Sequence, residues 1–453
     1  MMTIKLGTAP KLCALALAGT IALSGCSAGS DETAGPNEAP EEVTQEQIDE
    51  AMSTPTTLEL WAWVPGIEDN VALFEEKYPE IDVELINQGG SPEQYVKLRA
   101  VFKAGRDVPD VAQIGYDFLP SFTQTGDLLD LAPYGAAELE ADFLPGVWSQ
   151  VAADDAVWAL PQDSGPMGNL YRTDLFEQAG VAAPATWEDF ATAAEAVKSS
   201  TGAYITNLPG NDMGQMFGLF QQAGAAPFAY DGKETVSVNL DSPETQAVAA
   251  YWQDLIDRDL VATDPDFTDG WYQGLARGKY ASWLSAAWGP TFLQGTAQET
   301  SGKWAAAELP QWNAGDSISG NWGGSSLAVP KLSENPIAAY ELAKFINTDP
   351  ESASQLANEL FLFPTTEATL ADPKFTDQKA DFYGGQQVNK LFAEISGTVP
   401  EGSGWVPFMD YVQTAYNETF GKAIADHGDL EAALTEWQNA VADYAAQQGF
   451  TVE

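Results

Sequence analysis

Trp288, in Ala287-Trp288-Gly289-Pro290, and Trp322, in Gly320-Asn321-Trp322-Gly323-Gly324-Ser325, are large rings in segments with little apolar company along the chain. An indole outside an amphipathic stripe can serve as a flat contact surface. The C–H face of a pyranose packs against such a ring, and the hydroxyls around its edge need carboxylates, amides and Trp or Tyr donors. With 14 tryptophans and 15 tyrosines in the chain, platform must be separated from core. Trp437 shares a helical face with Leu430, Leu434, Val441 and Tyr444, and Trp252 with Val248, Leu255 and Ile256, so both read as core. Trp187 reads as a packing residue at a helix start. Trp63 before Pro65-Gly66, Trp271 after Asp269-Gly270 and Trp405 after Gly402-Ser403-Gly404 read as strand-end or exposed-loop aromatics. Asp163 and Asn321 are the first choice of polar contacts, followed by Gln88, Tyr116, Asp117 and Gln386. Gly323 and Gly324 would let backbone approach a ligand closely. These residues are the expected ligand-binding set.

Other chemistries find no footing. The sequence holds no Gly-x-Ser-x-Gly turn, no His-Glu-x-x-His and no phosphate loop. One histidine, His427, followed by Gly428, reads as the end of one helix before the next. The two cysteines, Cys13 and Cys26, both lie near the N-terminus, which leaves the rest of the chain no thiol. No metal site, cofactor or catalytic residue is expected. A glycoside hydrolase needs two carboxylates flanking a bond. Among 66 acidic residues such pairs arise by chance, so they discriminate nothing.

The elements that must position these side chains follow a leader. Lys5 and Lys11 precede an apolar stretch over residues 12–23, too short for a bilayer span of roughly 20 residues. Leu23-Ser24-Gly25-Cys26 then resembles the bacterial lipoprotein box. Residues 1–25 are the expected signal peptide, and Cys26 the expected lipidated residue on the extracellular side of the cell membrane. Residues 26–56 carry acids among Gly, Pro, Ser, Thr and Ala without Lys, Arg or aromatics, and read as a flexible tether. No later stretch is apolar enough to span. The formal net charge of -46 opposes nucleic acid and anionic lipid as partners. It leaves a cationic ligand such as a polyamine as an alternative.

Thr57-Leu58-Glu59-Leu60-Trp61-Ala62-Trp63 alternates as a strand, Val71, Phe74 and Tyr78 follow helical spacing, and Ile81-Asp82-Val83-Glu84-Leu85-Ile86 reads as a second strand. Tyr95, Leu98, Val101 and Phe102 share a helix face, and Pro109-Asp110-Val111-Ala112-Gln113-Ile114 is a third strand. This order predicts an α/β fold with a mostly parallel sheet, which binds ligands beyond the carboxyl ends of its strands. Trp63, Gln88, Tyr116 and Asp117 fall there.

Phe74-Glu75-Glu76-Lys77-Tyr78-Pro79, Pro109-Asp110-Val111, Gly126-Asp127-Leu128-Leu129, Val157-Trp158-Ala159-Leu160-Pro161, Leu170-Tyr171-Arg172-Thr173-Asp174, Thr186-Trp187-Glu188-Asp189-Phe190, Trp288-Gly289-Pro290 and Gly323-Gly324-Ser325-Ser326-Leu327-Ala328-Val329-Pro330 occur in order. As a set they resemble the family 1 extracellular solute-binding proteins of carbohydrate ABC transporters, the group that includes maltose-binding protein. The resemblance implies a periplasmic-binding-protein-like fold of two lobes, with an N-lobe over 57–164 and 329–364 and a C-lobe over 165–328 and 365–453. The chain would cross a hinge three times, near 163–166, 325–328 and 363–364. It implies a cleft between lobes that closes on an oligosaccharide, and delivery by a monomer to ABC permease subunits. In maltose-binding relatives the tryptophan of a Gly-Pro-Trp turn stacks on sugar; here Trp288 precedes Gly289-Pro290, a shift of register. The loop Asn207-Leu208-Pro209-Gly210-Asn211-Asp212 reads as either a cleft wall or a surface turn. A cationic or peptide ligand, or a surface glycan-degrading hydrolase, are the alternatives.

Overall fold

Leu58 and Leu60 are fully buried on strand β1 (Thr56–Trp61), while Glu59 between them stays partly exposed, the alternation expected of a strand with one face on the core. The computed structural model describes residues 42–453 apart from Pro65, Asp154, Glu359, Phe361, Gly402 and Ser403. The expected signal peptide, Cys26 and the first part of the tether lie outside them. The helix Glu68–Lys77 stops before Pro79 and leads to β2 (Ile81–Ile86). The helix Ser91–Ala104 ends on Gly105 and leads to β3 (Val111–Gly115), which is wholly buried. These strands are parallel, with β1 between β2 and β3.

The strands that follow run the other way. β4 (Leu160–Arg172) is 13 residues long. Its second half pairs antiparallel with β5 (Ser282–Ala286) and β6 (Trp304–Glu308) on opposite sides. Its first half pairs antiparallel with β7 (Asn321–Ala328), which also pairs antiparallel with β3. Seven strands therefore form one sheet in which only β1, β2 and β3 are parallel. The expectation of a mostly parallel sheet is corrected: the helical crossovers are confined to the first three strands, and the chain re-enters between β3 and β4 from the far end.

One sheet carries two cores. The first gathers Leu58, Leu60, Phe74, Ile114 and Leu160, with Leu327 and Leu342 from the returning chain. The second gathers Met167, Phe190, Trp252, Leu284 and Trp437. Core membership changes between Leu160 and Met167 on β4, between Trp322 and Leu327 on β7, and again between Leu356 and Phe363. These are the three crossings of a two-lobed molecule. Phe118, Leu144 and Trp405 pack against both cores.

Two further readings can be set against the structure. The tether, expected to be flexible as far as Thr56, carries the helix Gln45–Ser53, opened by a Thr44–Gln47 capping box. Its Met52 is buried in the first core, with Val43 and Ile48 packed against it. The segment cannot fold alone, but docking supplies the apolar contact its own composition lacks. His427 ends the helix Phe420–Asp426 at φ 53°, the structural role read from the sequence.

Where β4 and β7 cross, backbones approach too closely for a side chain. A Cβ on Gly165 would stand 1.9 Å from the Trp322 carbonyl oxygen. Gly165→Ala is therefore expected to destabilise the fold by at least about 1–3 kcal/mol, the usual cost of overpacking. Urea unfolding of the variant against the parent measures it.

Candidate ligand-binding site

The carboxyl ends of β1 and β3 meet the β4–β7 crossing around a cavity of about 260 Å³, lined by Trp63, Tyr95, Asp117, Phe118, Asp163 and Gly323-Gly324 among others. The Trp63 backbone N–H donates to Gln113 Oε1 at 3.0 Å, and the Trp63 ring meets Tyr95 edge to face at 6.1 Å. Asp163 accepts a hydrogen bond from the Ser325 hydroxyl, while its own carbonyl accepts one from Tyr116 Oη at 2.9 Å. Enclosure by protein pushes the Asp163 carboxyl up to about 6, against the opposing pull of Ser325. Asp117 is likewise raised to about 6, again chiefly by burial, with N–H groups of its own turn opposing and the charge of Asp410 adding to the rise. Gly323 and Gly324 have φ of 82° and 108° at a register shift in β7. A Cβ on Gly324 would stand 2.6 Å from the Tyr116 ring and 2.9 Å from the Asp163 carbonyl. Glycine is required there by both the backbone and the space.

A second cavity, of about 130 Å³, opens between the lobes. Tyr116 and Leu144 from the first lobe face Phe217, Gln221 and Trp405 from the second, with Asn321 between. Trp405 Nε1 donates across the lobes to Gln150 Oε1 at 2.7 Å, and Arg99 on the helix Ser91–Ala104 pairs with Asp410 at 2.7 Å, at the start of the helix Met409–Glu418. Asn321 is a brace: its amide donates to the Gly323 carbonyl at 2.6 Å and accepts from the Gly165 N–H at 2.9 Å. Among the described residues, no Lys, Arg or His lines either cavity.

Trp288 is half-buried beside this arrangement. Its Nε1 donates to the Trp322 carbonyl at 3.1 Å and lies 3.7 Å from where a Gly323 Cβ would stand, so it neighbours a residue of the first cavity without lining either one. Trp322 is only 6% exposed, and its ring meets Trp288 at 4.9 Å and 70°. It is corrected from an open platform to a buried support, because its indole is drawn inward to Asp212. Trp271 is also corrected. Thr268 caps the helix Asp269–Arg277, which turns Trp271 into the second core. Gln386 leaves the set as well: its amide pairs with both the N–H (2.9 Å) and the carbonyl (2.8 Å) of Ala306 on β6. Gln88, past the end of β2, lines neither cavity, and its carbonyl accepts from Lys97 Nζ at 2.6 Å.

Sequence reading missed Tyr95, Phe118, Phe217 and Gln221, since residues with helical spacing are taken for core. The missed signal was position: Tyr95 lies in the first turns of a helix that begins just past a strand end. It also missed a carboxyl pair. Asp212 caps the helix Met213–Gln222, and Asp266, 3% exposed, is held by Asn211 through Nδ2 to its carboxylate at 2.8 Å and through Oδ1 from its N–H at 3.1 Å. Burial and then the charge of Asp212 push Asp266 up to about 8. The loop Asn207 to Asp212, read as wall or turn, thus supports Trp322 from behind.

A profile of bacterial extracellular solute-binding proteins matches residues 61–353, and the chain belongs to that family. It is similar to the binding protein of a Bifidobacterium animalis subsp. lactis ABC transporter, solved in complex with β-1,6-galactobiose. Identity is 32%, the TM-score is 0.76, and the match covers 88% of this chain and 99% of that one. It is similar to the lactose-binding protein of Rhizobium radiobacter, 26% identical over 86% of this chain and 92% of the relative. It is also similar to the arabinooligosaccharide-binding protein of Halalkalibacterium halodurans, 24% identical over 75% and 78%.

The carboxyl pair has a measurable consequence. Asp266 holds its proton better in the folded chain than an unfolded carboxyl, whose pKa is about 3.9. The folded state therefore binds more protons, and stability from this pair is lost as pH rises from about 4 through about 8. Asp266→Asn, which stays neutral, is expected to narrow the fall in Tm between pH 5 and pH 9 relative to the parent. An equal fall in both would remove the pair as the cause.

Proposed function

We propose that this member of the extracellular solute-binding family captures a neutral oligosaccharide between its lobes and hands it to the permease of an ABC importer. The observation that carries the reading is the composition of the cleft. Indole and phenol rings stand beside partly covered carboxyls, and no basic side chain reaches either cavity. Such a surface suits C–H faces and hydroxyl edges. It disfavours an anionic ligand, whose charge would find Asp117, Asp163 and Glu401 without a counter-charge. Three relatives named for or solved with lactose, galactobiose and arabinooligosaccharides support a sugar over a peptide or polyamine. The named relatives are binding proteins, and binding without turnover is the activity assigned here. Trp288 and Trp63 are the assigned platforms, Asp163 and Asp117 the hydroxyl acceptors, and Tyr116 and Trp405 the ring contacts of the inter-lobe cavity. Gly323 and Gly324 admit the ligand to the backbone.

The functional step is closure. Strands β4 and β7 run between the lobes, so a ligand touching both biases the open–closed equilibrium through contacts made only in the closed form. Extracellular display on a lipid attached to Cys26, as a monomer, completes the proposal.

Intrinsic fluorescence of residues 27–453 tests it. Titrants are β-1,6-galactobiose, lactose, arabinobiose and maltose, with a uronic-acid disaccharide, spermidine and a peptide mix as controls. A saturable change with one neutral sugar and no product on long incubation is the expected result. Trp288→Ala is expected to weaken binding by about tenfold or more, the loss of one aromatic face. A response confined to spermidine or peptide, or release of cleaved sugar, would overturn the reading.

A further inference from the structure

Asp212 and Asp266 lie behind the second-lobe wall of the inter-lobe cavity, outside the ligand contacts assigned above. Asp266 is buried in the turn before the helix Asp269–Arg277. One of its carboxyl oxygens accepts from Asn211 Nδ2 at 2.8 Å, while the other, Oδ2, is buried without a donor. The group against this carboxyl is the carboxyl of Asp212. Two carboxylates have no hydrogen to give one another, so one proton held between them completes the arrangement.

Asp212 also ties the cleft wall together. Its carboxyl accepts from the Gln215 N–H at 3.1 Å, at the start of the helix Met213–Gln222, and from the Trp322 indole on β7. At the other end of that helix, Gln221 Oε1 accepts from the Asn321 N–H of β7 at 2.9 Å. Between these ties the two elements touch. A Cβ on Gly214 would stand 2.6 Å from the Trp322 indole nitrogen, and one on Gly218 would stand 3.1 Å from the Asn321 carbonyl oxygen. Phe217, Gln221 and Asn321 line the inter-lobe cavity, and all three are carried on this joined helix and strand.

We propose that Asp212 and Asp266 are a positioning pair whose shared proton holds the helix Met213–Gln222 against β7, so that capture of the ligand is coupled to a proton. The proposal rests on the oligosaccharide reading above. Loss of the proton leaves two like charges in contact, away from water, and their separation strains the ties to Trp322 and the helix start. No cation faces them to offset the repulsion. Tyr416 donates to the Asp212 carbonyl at 3.3 Å and Tyr272 lies near Asp266, and burial keeps both phenols neutral. Asp269, beyond Tyr272, adds only negative charge. Lys279, the base nearest in this loop, is already paired with Asp264. With Asp266 raised to about 8, the change falls between about pH 7 and pH 9, above the range of Asp117 and Asp163, both at about 6.

Calorimetric titration of residues 27–453 with lactose, β-1,6-galactobiose, arabinobiose and maltose, at pH 7, 8 and 9 and in two buffers of different ionisation enthalpy, decides it. The parent is compared with Asp266→Asn and with Asp212→Asn, the second chosen because Asn caps a helix as well as Asp. For the sugar that binds, parent affinity is expected to fall about 3- to 10-fold from pH 7 to pH 9 and, by linkage, the parent to take up protons on binding near pH 8. Each variant keeps a hydrogen between the two positions at every pH, so its affinity should change less than about twofold and its proton uptake should vanish. A merely structural role would lower affinity in the variants without removing either pH effect. Equal pH dependence in all three proteins, or none in the parent, overturns the coupling and leaves the cleft reading intact. Silence of the parent toward all four sugars at every pH overturns the oligosaccharide reading and the coupling with it.

Discussion

Pairing of β4 with β7 joins the two halves of this molecule, and nearly every feature of the site depends on it. Each strand begins in one core and ends in the other. Their antiparallel ladder is interrupted by register shifts at Asn321/Gly324 and Ser325/Ser326. Bulges of this kind release part of the ladder and turn side chains away from it. Here they free the Gly323-Gly324 backbone, leave Asp163 facing a cavity, and bring the Trp322 carbonyl under the Trp288 indole. The tight contact at Gly165 fixes the crossing, and Asn321 braces the loosened segment from within. A hinge made from strands rather than a flexible linker limits the lobes to few relative positions, so ligand affinity can be spent on closure rather than on ordering the chain.

Charge acts at a distance from this hinge and within it. The formal net charge of -46 makes the environment unfavourable for any anion. Inside the cleft the same bias takes a local form, because Asp117 and Asp163 have no basic partner lining their cavity. Their raised proton affinities follow chiefly from burial. Contacts between the lobes use the few charges available, as in Arg99 with Asp410, and otherwise polar and apolar groups such as Trp405, Gln150, Phe118 and Leu144.

Local pattern made much of the fold legible. Alternation marked β1 and β2, and helical spacing placed Trp252 and Trp437 in the core, whereas the crossings came only from the family resemblance. The antiparallel re-entry of β7 was not legible, because no local signal states which strand a distant segment will pair with. For the same reason Gln386 was misassigned, since it spans 80 residues of sequence to clamp β6; Trp271 was misassigned for a local one, the Thr268 cap three residues earlier that turns it inward. Trp288 could be singled out because its neighbours in sequence are small. The Asp212–Asp266 pair was hidden among 66 acids until tertiary structure buried it.

A crystal structure of the chain with the tightest-binding neutral sugar tests the central claim most directly. The account predicts a pyranose face on the Trp288 indole, hydroxyls on Asp163 or Asp117, and both lobes in contact with the same molecule. Sugar bound to one lobe alone, or anywhere that leaves Trp288 and Asp163 untouched, would contradict it.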